Sequence, residues 1–211
     1  MADLQKLYDA ILNGSHKTAR EITQEALAEG NDPQALVNDV MIPAMNEVGR
    51  RYEAGDYFVP EILIAARAMK ASLELIRPLL TERGAEPVGR VVIGTVQGDL
   101  HDIGKNIVSA MLEGAGYVVT DLGVDVSPDR FVSAARENNA SLVALSALLT
   151  TTMGSMKNVI AALEASGLRG TVKVMIGGAP TTQKYALDIG ADGYGANANS
   201  AVALAHQLLG T

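Results

Sequence analysis

Cysteine and tryptophan are absent from this chain of 211 residues, and phenylalanine occurs only twice. Without cysteine there is no disulfide framework and no thiolate metal site. Aromatic residues make up 4% of the chain, too few for the stacking platforms on which single-stranded nucleic acids bind. Positive charge is in deficit as well. A formal net charge of −7 leaves no basic footprint for a phosphate backbone, so no nucleic-acid partner is expected. No apolar run reaches the length of a membrane span. Met1-Ala2-Asp3-Leu4-Gln5-Lys6 offers neither a basic n-region nor an apolar h-region. A cytoplasmic protein with no membrane partner is the expectation. What remains is 48% hydrophobic, so Ala, Val, Ile and Leu must build the core.

The first part of the chain, to about residue 83, reads as four helices. The first ends near Asn13-Gly14, and the second runs from Ser15 to Gly30. Asp32-Pro33 opens the third as an N-cap followed by proline at the first helical position. Leu36, Val37, Val40, Met41, Ala44, Met45 and Val48 then recur at three- and four-residue intervals. Pro43 within that run predicts a kink. The fourth helix opens near Val59-Pro60-Glu61 and carries Ile62, Ala65, Met69, Leu73 and Ile76, with Pro78 near its end. Four short-linked helices predict a bundle. Arg83-Gly84-Ala85-Glu86-Pro87-Val88-Gly89 follows as a linker, with a hinge over Gly84–Gly89. The expected domains are 1–86 and 87–211.

From Arg90 the pattern alternates. Strands are predicted at 90–96, 117–121, 141–146, 172–177 and 191–194, and helices at 104–115, 128–138, 153–166, 181–189 and 199–209. Such alternation predicts a doubly wound parallel five-stranded sheet of flavodoxin-like (Rossmann-like) α/β type, strand order 2-1-3-4-5. Strands one and three are then neighbours, and ligands bind outside the carboxyl edge at that switch point.

Chemistry-bearing residues collect along this edge. Gly98-Asp99-Leu100-His101-Asp102-Ile103-Gly104 follows strand one, and Ser146-Ala147-Leu148 follows strand three. Gly177-Gly178-Ala179-Pro180 follows strand four, and Tyr194-Gly195-Ala196-Asn197 follows strand five. A carboxylate two residues before a histidine can hold one ring nitrogen while the other faces outward. Ser146 is placed to donate to Asp99. One histidine cannot hold a bare metal ion, which needs three or four protein ligands. A metal here must arrive inside a macrocycle that fills its equatorial positions.

The series Asp99-x-His101-x-x-Gly104, Ser146-x-Leu148 and Gly177-Gly178 resembles the signature of cobalamin-binding proteins of the base-off/His-on type. The helical segment, with Gly55-Asp56-Tyr57-Phe58-Val59-Pro60-Glu61, resembles the cap of corrinoid methyl-carrier proteins. The resemblance covers essentially the whole chain and extends to the B12-binding module of cobalamin-dependent methionine synthase. It implies a cobalamin cofactor, as methylcobalamin, cob(I)alamin or a related corrinoid. It makes His101 the lower axial cobalt ligand, with Asp99 and Ser146 as a relay behind it. Gly104, Gly177 and Gly178 would keep a slot open for the displaced nucleotide tail. Gly98, Leu148, Thr150, Ala179 and Tyr194 to Asn197 would line the slot or the corrin edge, and Met69 would contact the corrin from the bundle. The implied role is a methyl carrier rather than a complete enzyme. Its implied partners are a substrate-specific corrinoid methyltransferase, a second methyltransferase with a tetrahydrofolate or thiol acceptor, and a reductive activase.

Other readings compete at several positions. Lys105-Asn106 forms the first helical turn or also touches the cofactor. Thr150-Thr151-Thr152 is a helix cap, a contact to the nucleotide tail, or both. Met41, Met45 and Met69 suit a bundle interior, while His16 and His206 read as surface residues. An adenosylcobalamin-dependent isomerase subunit shares the signature, but the helices in front argue against it. A B12-sensing regulator would need an output segment. A receiver-like signalling domain would need paired acids and a lysine after strand five.

Overall fold

Helices begin where a side chain can satisfy the free N–H groups of a first turn. Asp3, Asp32, Ser127, Thr182 and Asn197 each accept such a bond. The structure is a computed structural model that describes residues 2–82 and 87–210. It divides into two compact units, Met1–Pro87 with Ala110–Gly116, and Val88–Ser109 with Tyr117–Thr211. Within the expected hinge, residues 84–86 lie outside the described residues.

The first unit contains α1 (Leu4–Leu12), α2 (His16–Ala28), α3 (Pro33–Ala35), a π-helical segment (Leu36–Met41), α4 (Ile42–Glu53) and α5 (Val59–Glu82). Leu7, Ile11, Ala19, Ala26, Met41, Met45, Val48, Ile62, Ala65, Met69 and Ile76 are buried and form its apolar interior. At Pro43 the structure shows a π-helical segment in the turn ahead of the proline. Proline lacks an N–H and its ring crowds the carbonyl four residues back. The turn ahead of it widens, and the Ile42 N–H donates to the Val37 carbonyl, five residues back.

The second unit holds β1 (Arg90–Thr95), β2 (Val118–Asp121), α7 (Pro128–Glu137), β3 (Leu142–Ser146), α8 (Gly154–Ala165), β4 (Lys173–Gly177), α9 (Gln183–Ile189), β5 (Gly193–Gly195) and α10 (Ala198–Leu209); α6 (Ile103–Gly114) begins in it. The sheet is parallel, in the order β2-β1-β3-β4-β5. The three central strands β1, β3 and β4 are apolar runs rather than alternating ones, as burial on both faces requires, whereas the edge strand β2 is half-buried and ends on the exposed Asp121. Val92, Val143, Leu145, Val174 and Ile176 face Phe131 of α7 and Met156, Ile160 and Leu163 of α8. On the other face a Cβ at Gly193 or Gly195 would strike Leu204 or Ala201 of α10, so glycine lets that helix lie close. In register, Thr95 of β1 stands beside Ser146 of β3, and Ser146 beside Gly177 of β4. The loops leaving these three strands therefore converge at one edge.

Candidate functional site: an anchored histidine at the sheet edge

The β1–α6 loop turns at Gly98, whose φ of 87° lies in the left-handed region that glycine adopts freely. Asp99 follows with no exposed surface. Its Oδ1 accepts the His101 backbone N–H at 3.1 Å and lies 2.7 Å from His101 Nδ1. Its Oδ2 accepts the N–H groups of Leu148 and Leu149 at 2.8 and 3.2 Å, and the Thr152 hydroxyl at 2.7 Å. Burial alone would raise the carboxyl pKa. Donors from Thr152, Leu148 and His101 outweigh it and hold the group well below the ordinary carboxylate range. Asp99 is therefore ionised and accepts only, so the neutral imidazole carries its proton on Nδ1 and its lone pair on Nε2. The His101 side chain is half exposed. Thr95, itself buried, donates to the His101 carbonyl at 2.8 Å and fixes the loop from below.

The surroundings suit a large, partly apolar ligand. Leu100 and Ile103 are 72% and 71% exposed, and Leu148 and Leu149 are 43% and 42% exposed. Four aliphatic side chains thus stand in solvent around one imidazole. A Cβ at Gly104 would meet nothing within 4 Å, so the first turn of α6 has a bare face toward open space. Among the described residues no group of three His, Cys, Asp or Glu side chains can hold a metal ion. The donor set thus fits a metal carried in a macrocycle and needing one axial nitrogen, and it does not fit a bare ion.

The B12 binding domain family matches residues 89–203, and a second B12 binding domain family matches residues 3–77. The chain belongs to the cobalamin-binding corrinoid proteins. Among the relatives of this corrinoid protein is the dimethylamine corrinoid protein of Methanosarcina barkeri. It is 45% identical over 98% of this chain and 97% of its own length. A corrinoid protein of Desulfitobacterium hafniense is 41% identical over 100% of this chain and 99% of its own. Among solved structures, the methanol:cobalamin methyltransferase complex MtaBC of Methanosarcina barkeri contains a chain that superposes with a TM-score of 0.87. That chain is 31% identical, over 98% of this chain and 79% of its own length. The cofactor is thus a corrinoid of the cobalamin type. Among the described residues no helix is long and apolar enough to cross a membrane.

Three expectations for this corrinoid protein need correction. Ser146 does not complete the relay behind His101. It ends β3, where its carbonyl accepts the Val96 N–H at 3.0 Å, and its hydroxyl makes no bond to Asp99. The carboxylate reaches past the strand end to the turn over residues 148–152, and Thr152 supplies the hydroxyl. Met69 is fully buried; it lies on the α5 stripe Ile62, Ala65, Met69, Leu73 and Ile76, which is interior. His206 is not a plain surface residue. Its Nδ1 lies 3.0 Å from the Tyr117 hydroxyl, and burial lowers its pKa.

The other nominated residues fall along the same edge in differing roles. Asp102 is exposed and accepts from Asn106 at 3.1 Å, one helical turn on. Thr150 and Ala179 are exposed, Tyr194 packs toward the Phe131 side of the sheet, and Asn197 caps α10 in a capping box with Ser200. Ala196 is exposed and Gly195 buried beside Ala201. For Gly177 and Gly178 backbone packing supplies the immediate reason: a Cβ at Gly177 would stand 3.2 Å from the Gly195 carbonyl oxygen, and one at Gly178 would overlap that of Ala147. Lys105, read from sequence as a first-turn residue or a cofactor contact, is buried. Its ammonium pairs with Asp121 and donates to Asn106 Oδ1 at 2.7 Å.

The Thr152 hydroxyl carries a measurable share of this anchoring. Thr152→Val removes a hydrogen bond to a buried carboxylate, a loss of about 2 kcal/mol. The urea midpoint of the cofactor-free protein should fall accordingly, and Thr152→Ser should recover most of it. An unchanged midpoint in the valine variant would show that the backbone donors suffice.

Proposed function

We propose that this corrinoid protein is the methyl-carrying subunit of a methyltransferase system and holds its cofactor with His101 as the lower axial cobalt ligand. The observation that carries the reading is the half-exposed imidazole whose Nδ1 is fixed on a fully buried, ionised Asp99. Bound there, the corrinoid supplies a cobalt centre able to accept a methyl group from one partner protein and release it to another.

The chain's own residues set the conditions for that chemistry. Asp99 keeps the proton on Nδ1, which leaves Nε2 basic and aimed away from the carboxylate. Leu100, Ile103, Leu148 and Leu149 present apolar surface to the cofactor, and Gly104 leaves room along the first turn of α6 for the displaced nucleotide tail. Ser146, Thr150, Gly177, Gly178, Ala179 and Tyr194 to Asn197 belong to the same edge.

The relatives named for dimethylamine and trimethylamine, with the methanol complex, support a partner methyltransferase acting on a methylated amine or methanol. A second methyltransferase with a tetrahydrofolate or thiol acceptor and a reductive activase complete the proposed system. Carriage without turnover of its own is the reading for this chain. The test is reconstitution with hydroxocobalamin under reducing conditions, then methyl transfer from each donor with its methyltransferase. One bound equivalent and methylation by one of these partners are expected. A protein that takes up no corrinoid, or that turns over only with the adenosyl form, would defeat the proposal.

A further inference from the structure

Asp99 is gripped by its side chain from the β3–α8 loop, but its backbone is gripped from another direction. The residue responsible is Asp125, between β2 and α7. Asp125 has a φ of 54°, one of only two positive values at non-glycine residues among the described residues. Side chains other than those of Asn and Asp rarely accept this region. Its N–H donates to the Asp99 carbonyl at 3.0 Å, and its Oδ1 accepts the Gly98 N–H at 2.8 Å. The two bonds enclose the Gly98–Asp99 segment from both ends. The left-handed turn makes this possible, because it aims the backbone N–H and the carboxylate of one residue at the same loop.

The support behind Asp125 is continuous with the sheet. Val126 pairs with Val96 as an isolated parallel bridge, and its N–H donates to the Thr95 carbonyl at 3.0 Å. The Thr95 N–H in turn donates to the Gly123 carbonyl at 3.0 Å. Residues 123–126 thus extend the β1 edge by one more set of ladder bonds and end on the loop that carries His101. The Asp125 carboxylate is exposed and its one hydrogen bond among the described residues is to Gly98. Neither burial nor an ion pair accounts for an acid in a strained conformation here, and the grip on Gly98 and Asp99 does.

We propose that Asp125 is a positioning residue for the axial histidine, acting by fixing the Gly98–Asp99 backbone so that the Asp99 carboxylate meets His101 Nδ1. The inference rests on His101 being the cobalt ligand. Strained non-glycine residues persist where the surroundings over-determine them, often at functional sites. Groups that orient a metal-bound histidine are worth about 10–100-fold in metal affinity.

The experiment compares Asp125→Gly and Asp125→Asn with the unaltered full-length protein, using cobalamin reduced to the cobalt(II) form as the probe. Glycine relieves the strain and keeps the backbone N–H, so folding is safe while the carboxylate is lost. Asparagine keeps an oxygen for Gly98. Two readouts are taken: nitrogen splitting in the cobalt(II) electron paramagnetic resonance spectrum with the cobalamin Kd, and the 15N shifts of the His101 ring without cofactor. Asp125→Gly should weaken cobalamin binding about 10-fold and shift the ring from the Nδ1–H form toward a mixture of tautomers. Asp125→Asn should restore most of both. Wild-type affinity and wild-type ring shifts in the glycine variant would overturn the inference and leave the ligand assignment standing. A nitrogen splitting that stays three-line, and does not become two-line, when the protein's histidines carry 15N would overturn the ligand assignment itself.

Discussion

His101→Ala should lose the histidine-ligated absorption spectrum outright while the protein stays folded. The side chain is half exposed and packs no core, so its removal creates no cavity of consequence. What disappears is the Nε2 lone pair aimed out of the sheet edge. Bound cobalamin should then show the spectrum of a water-ligated or base-on form. Residues that only orient a metal-bound histidine are worth about 10–100-fold in affinity or activity, and removing the ligand should cost methyl transfer at least that much. Added imidazole should restore part of the spectrum, since Asp99 and its three donors from residues 148–152 remain in place. A variant that binds cobalamin with an unchanged spectrum would show that the axial nitrogen comes from elsewhere.

Gly178→Ala should produce the largest loss of stability of any single methyl group added to the second unit. Its φ of 124° lies where side chains are rarely accommodated. A Cβ there would overlap the Ala147 carbonyl oxygen, which belongs to the backbone and cannot rotate away. Strain of this kind costs about 1–3 kcal/mol, and the clash adds to it, so about 3–5 kcal/mol is expected in urea unfolding, a size reserved for defects with a structural cause. Relief must come from shifting Ala147, and Leu148, Leu149 and Thr152 follow it in the chain. These are the donors to Asp99. Cobalamin affinity should therefore fall together with stability, although Gly178 is remote in sequence from His101. A variant with a wild-type urea midpoint would mean that the two loops separate without cost.

Most of the fold was legible because its signals are local. Asp32-Pro33 and Ser127-Pro128 announce helix starts, and the runs Val91-Val92-Ile93 and Leu142-Val143-Ala144-Leu145 announce doubly covered strands. The parallel sheet follows from the alternation, and the strand order from a length that suits a flavodoxin-like fold, and with it comes the meeting of the Asp99 and Leu148 loops. What was not legible depended on the path of a turn. Ser146 and Thr152 both carry hydroxyls, and only the tight turn over residues 149–152 decides that the second reaches the carboxylate. The three successive threonines were a signal, but they pointed to Thr150. Met69 has two readings in the sequence, a corrin contact and a bundle interior, and its spacing with Ala65 and Ile76 marks the interior one, where it is buried. The surface reading of His206 failed because Tyr117, 89 residues earlier in sequence, packs against it. Asp125 carries no sequence signal beyond residue type, since its role arises from a backbone angle.

The widened turn before Pro43 has a bearing on how the first unit can be so regular inside. Leu36, Val40, Ala44 and Val48 are all buried, as are Val37, Met41 and Met45. Their repeat is four residues, whereas an α-helix returns to the same side every 3.6. In an unbroken helix each step of four would slip by about 40°, or roughly 120° between Leu36 and Val48. The broader turn over Leu36–Met41 takes up part of that slip, so a four-residue beat and an inward-facing stripe become compatible. An irregularity forced by one imino acid thus acts as a phase corrector for the helix that follows it.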